Sequence, residues 1–258
     1  MAESADPTKR QFSIIDLFIL ATVVSVCVAT YQQFKALSFA PVPHGWRMAS
    51  MVIGVSVHAL PLFGLSLLVK RRMKGGQLYV HPGHLLTFHA GVVALFAMVT
   101  GLLLVQATKQ FNLDPQLADP KLVMWMQDLS LWRFIVGNLL GLLLVIGLFR
   151  DRWWWRVFFA GALAVNLVDG TAMLCNVRGL EWLLTPDQLF AVYLINGYCK
   201  VLLAVWLVAI LVCDFKLSVK RDWIHQIGWL SFLGIQYAER VFWMIAAQNL
   251  SLQEMTGQ

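Results

Sequence analysis

The chain has 258 residues, 59% of them hydrophobic and only 13% charged, a balance too apolar for a soluble domain. Its formal net charge of +6 would suit nucleic acid, but the basic residues fall in short loops between apolar segments, so the excess is topological and argues against a nucleic-acid partner. The four cysteines, Cys27, Cys175, Cys199 and Cys213, form no C-x-x-C pair, which argues against a disulfide framework, a zinc knuckle or any other metal centre built on them.

An apolar stretch of about 20 residues crosses a bilayer as a helix. The sequence predicts seven, at about 14–36, 48–70, 82–107, 130–149, 152–175, 186–213 and 223–247. The expected fold is therefore all-α, a polytopic transmembrane helical bundle spanning 1–258 as one domain, with a cytoplasmic tail at 1–13, an outer loop at 108–129 and an outer tail at 248–258. Lys9 and Arg10 ahead of the first run resemble a secretory signal, but no small-x-small cleavage pattern follows, so the run is read as a retained helix. Proline occupies the first position of the third span, Pro82, and of the sixth, where Thr185-Pro186-Asp187-Gln188 also forms a capping box. Before the fourth span, Lys121 to Asp128 reads either as a short interfacial helix or as an outward extension of that span. Within it, Gly137 and Gly141 form a G-x-x-x-G that marks close helix packing. Asp222 is an N-cap candidate for the seventh.

With the N-terminus inside, twelve of the twenty basic residues fall in inner loops, five in outer loops, and Arg133, Lys200 and Arg240 inside the spans. This bias predicts an N-in, C-out orientation. Trp153, Trp154 and Trp155, set between Arg150, Arg152 and Arg156, are expected as anchors at the inner interface.

Charge inside hydrocarbon is costly unless paired or solvated, so embedded ionisable residues are the first site candidates. On a ruler of 1.5 Å per residue from each helix's inner end, Asp169, Glu239 and Arg133 lie at roughly 24 Å, Arg240 at about 26 Å and Lys200 at about 20 Å. They define one polar layer. Asn166 shares a helix face with Asp169, and Asn196 with Lys200; Tyr193 extends the second stripe. Lys200 is expected to lie within ion-pair or water-bridged reach of Asp169 or Glu239. Three positive and two negative charges leave the layer at +1, which suits a small anionic ligand. The simpler reading is that ion pairs and asparagines hold helices in register with no ligand at all.

His58, His84 and His89 lie on adjacent spans and raise b-type haem ligation, although His58 and His89 differ in depth by about 7 Å. Their spacing lacks the i, i+4 histidine pair of a helical zinc motif. Nor is there a P-loop, a dinucleotide fingerprint or a G-x-S-x-G elbow.

Arg10-Gln11-Phe12-Ser13 and His81-Pro82-Gly83-His84 resemble stretches of uncharacterised multi-pass bacterial inner-membrane proteins. That resemblance implies an inner-membrane location and no activity. The leading expectation is a non-enzymatic membrane protein, a binding or transport module or a partner subunit, in contact with lipid and a membrane-protein partner. The alternatives are a redox component using b-type haem or quinone, and an intramembrane enzyme with Asp169 or Glu239 as acid or base.

Overall fold

The computed structural model describes residues 13–34, 44–76, 82–110, 120–148, 152–177, 185–216 and 223–234, and all regular structure among them is helical. The elements are α1 (Ile14–Phe34), α2 (His44–Met73), α3 (Pro82–Gln110), α4 (Pro120–Trp132), a π-helical stretch (Arg133–Leu140), α5 (Gly141–Leu148), α6 (Trp153–Val177), α7 (Pro186–Lys216) and α8 (Trp223–Leu233). Among the described residues five helices are long and apolar enough to cross a membrane, at Ile14–Gln33, Met48–Met73, Pro82–Gln110, Gln127–Ile146 and Leu194–Phe215. The chain is thus a helical bundle of multi-pass membrane character. The expected seventh span is described only as far as α8, and its remainder, like Asp222, lies outside the described residues.

Local chemistry sets the helix ends. Ser13 and Asp16 cap α1 reciprocally: the Ser13 N–H donates to Asp16 Oδ2 at 2.9 Å and the Asp16 N–H to Ser13 Oγ at 3.2 Å. At α7 the expected box forms, with the Thr185 N–H donating to Gln188 Oε1 at 2.9 Å and the Gln188 N–H reaching Thr185 Oγ1 at 3.4 Å. Helix α2 stops at Gly75, whose φ of 77° admits the turn in which Gly75 N–H donates to the Arg72 carbonyl and Gly76 N–H to that of Arg71.

One element differs from a plain span. Residues 120–148 run as one helical rod, so Lys121 to Asp128 is an extension of the fourth span and not a separate interfacial helix. Helix also takes up 108–110 and 120–129 of the expected outer loop. The middle of the rod relaxes into eight residues of π-helix, a wide turn uncommon at any length.

Helix α3 is the hub, packing on α2, α8 and the π-helical rod. Against α8 the backbones nearly touch: a Cβ on Gly228 would stand 2.0 Å from the Gly83 carbonyl oxygen, and one on Gly83 2.2 Å from the ring of His225. That approach lets the Gly83 N–H donate to His225 Nδ1 at 2.8 Å and Thr87 Oγ1 to the Ile224 carbonyl at 2.9 Å. A core of Leu85, Leu86, Leu142, Trp155, Phe158, Phe159 and Phe232 joins α3, α5, α6 and α8. By contrast α7 turns Leu194, Ile195, Val201, Leu202, Val205 and Val208 outward, as a helix solvated by lipid does. Gly228→Ala should destabilise the protein by roughly 1–3 kcal/mol, because the methyl meets backbone that cannot yield as a side chain would. Chemical unfolding in detergent micelles measures this, and an unchanged midpoint would contradict the close α3–α8 contact.

Candidate functional site

The polar layer centres on Asp169, which lies in α6 and faces α7. Lys200 Nζ donates to Asp169 Oδ2, and Asn196 Nδ2 donates to Asp169 Oδ1 at 2.5 Å. Asn196 and Lys200 are four residues apart, so one face of α7 delivers both donors to one carboxylate. The pair is well enclosed, with the Lys200 side chain 7% and the Asp169 side chain 16% exposed. Asn166, one turn away on α6, is buried and donates its amide to its own helix, at the Ala162 carbonyl 2.7 Å away. Glu239 and Arg240 lie outside the described residues, as do the side chains of Arg133 and Tyr193; Arg133 is placed only as the first residue of the π-helical stretch.

Two further embedded carboxylates repeat this arrangement, and sequence reasoning missed both. Asp214 near the end of α7 is 2% exposed; it accepts from Trp155 Nε1 at 3.3 Å and pairs with Arg152 Nη1 at 3.5 Å. Asp16 at the start of α1 accepts from Ser13 Oγ at 2.7 Å and pairs with Lys70 Nζ of α2 at 2.5 Å. The Ser-x-x-Asp pattern at 13–16 is a readable capping signal, whereas nothing in the run around Asp214 announces its partners. The tryptophan run also divides. Trp153 is 64% exposed and suits an interfacial anchor, but Trp155 is fully buried, because its indole N–H is needed at Asp214.

The histidines do not converge. His58 Nδ1 lies 2.7 Å from the Gly54 carbonyl of its own helix. On α3, Gly91 faces Pro61 and Leu65 of α2. At about 100° per residue, His89 points roughly 160° away from Gly91, hence away from α2 and from His58. It packs instead on Gly141 and on the Phe232 ring, whose centroid is 6.4 Å distant. His84 is fully buried near the start of α3, seven residues before Gly91 and so about 10 Å from it along the axis. The three rings therefore do not meet: His84 shares the Gly91 face but lies about 10 Å along α3 from it, and His89 points the other way. Among the described residues no three His, Cys, Asp or Glu side chains gather as a metal ion would require.

Compared with protein-family models, with curated proteins and with solved structures, the chain matches none. The class rests on the molecule itself, a helical multi-pass membrane protein in which α6 and α7 are joined by carboxylates enclosed between them.

Magnitudes decide how the layer should respond to mutation. An interhelical hydrogen bond in a membrane protein contributes about 0.6 kcal/mol on average, whereas removing one partner of a buried ion pair costs about 3–5 kcal/mol. Lys200→Met should therefore destabilise by about 3 kcal/mol or more, chiefly because the Asp169 charge loses the lysine that neutralises it. Lys200→Met combined with Asp169→Leu should recover most of that loss. A double-mutant cycle on unfolding in micelles reads the coupling, and additive losses would show that the pair is not a unit.

Proposed function

We propose that this chain is a non-enzymatic integral membrane protein, a binding or transport module or a partner subunit, whose polar layer fixes its helices in register. The observation that carries this reading is the Asp169 carboxylate held between Lys200 and Asn196. A lysine already turned to a carboxylate on the neighbouring helix accounts for its own burial, and no anionic ligand is needed to explain it. The chain crosses a bacterial inner membrane seven times, N-terminus inside and C-terminus outside, in keeping with the twelve-to-five division of loop basic residues and with basic Lys70, Arg71 and Arg72 ending α2.

Two measurements test this. Single cysteines at Lys74 and Gln258 should react with membrane-impermeant reagents from opposite sides; labelling of both from one side would end the seven-span topology. Titration of the purified protein with inorganic phosphate should give no saturable binding that Lys200→Met with Asp169→Leu abolishes. Lys200-dependent saturation would instead make the layer a cavity for an anion.

A further inference from the structure

Among the buried polar atoms outside all of these networks are those of His89 on α3 and Asn138 in the π-helical stretch. His89 is 2% exposed, and neither ring nitrogen has a hydrogen-bond partner; Asn138 Oδ1 is also buried and unpaired. Such atoms are few in native proteins, and each calls for an explanation. The two residues lie together. Gly141, one turn beyond Asn138, makes room for the imidazole, since a Cβ there would stand 2.7 Å from His89 Cδ2. The Asn138 backbone carbonyl, which accepts from the Gly141 N–H, also approaches the ring without meeting hydrogen-bond geometry. Phe232 supplies an apolar wall from α8. The polar atoms thus sit at a π-helical turn, the kind of helix irregularity that accompanies functional sites.

We infer that His89 and Asn138 form an internal hydration site that binds ordered water between α3, the π-helical stretch and α8. The inventory of groups selects the ligand. A neutral imidazole offers one N–H donor and one bare nitrogen acceptor, and Asn138 Oδ1 is a second acceptor. The occupant must donate as well as accept. An anion would meet only the N–H, and a metal cation only the two acceptors. Water does both, and it is small enough for a ring already seated in the notch at Gly141. The π turn has a structural role here, because it carries Asn138 and Gly141 to the same ring while the flanking α4 and α5 remain regular.

Nitrogen-15 spectra of histidine-labelled full-length protein in lipid nanodiscs test the site. Sequential backbone correlations assign His89 among the six histidines without relying on a variant that fails to fold. The expected result is a neutral ring whose bare nitrogen carries the shift of a hydrogen-bonded acceptor, with magnetisation transfer between ring and water protons. Asn138→Leu should weaken or abolish that transfer, as should Gly141→Ala by pushing the ring from its notch. A bare nitrogen with no hydrogen bond and no water contact would overturn the inference. So would a shift typical of metal ligation, or water contact that Asn138→Leu leaves unchanged.

Discussion

A carboxylate moved out of water must find donors, and the described structure depends on how that demand is met. Each of three enclosed carboxylates takes at least a cation and a neutral donor: Asp16 has Lys70 and Ser13, Asp169 has Lys200 and Asn196, and Asp214 has Arg152 and Trp155. A cation alone would leave carboxylate lone pairs unsatisfied, and a neutral donor alone would leave the charge uncompensated in a medium of low dielectric. Because the donors come largely from a neighbouring helix, satisfying the charge also fixes which helices are neighbours. Helices α6 and α7 are tied twice, by Asp214 near the C-terminal end of α7 and by Asp169 further along.

The other half of the bundle is joined differently. Between α3 and α8 the glycines Gly83 and Gly228 bring backbones together, and the resulting contact is sealed by the Gly83 to His225 bond and the Thr87 hydroxyl. Apolar association adds little driving force among helices already surrounded by hydrocarbon, so close packing and interhelical hydrogen bonds carry the specificity. The Trp155 ring links the two halves. It stacks on Phe159, meets His225 edge-on and gives its indole N–H to Asp214. A residue expected at the lipid interface is thus part of the core.

Two kinds of polar group consequently stand out among the described residues. Those in the ion-pair sets are matched across helices, which suits a pin. The His89 ring nitrogens and Asn138 Oδ1 are enclosed yet unmatched beside an irregular turn, which suits a place where something small is held. Leaving a buried polar group unsatisfied costs about 1–3 kcal/mol, so the second kind persists only with a compensating partner or use.

The sequence by itself determined the class of protein and much of its local detail. Long apolar runs can bury their backbone polar groups in lipid only as helices, so length and composition sufficed for the bundle. The capping box at Thr185 and the proline starts at Pro82 and Pro186 were legible because they act over four residues or fewer. The pairing of Asp169 with Lys200 was within reach of a depth ruler, since an isolated charge demands a partner at its own level. Only the tertiary structure decided the rest. Whether Trp155 faces lipid or Asp214, whether His89 faces His58 or Gly141, and where a helix widens into a π turn all depend on which surfaces meet. Helical periodicity fixes the angles between side chains on one helix but leaves its rotation about its own axis open. That rotation is set by contacts between residues far apart in the chain, as when Gly83 meets His225 across 142 positions.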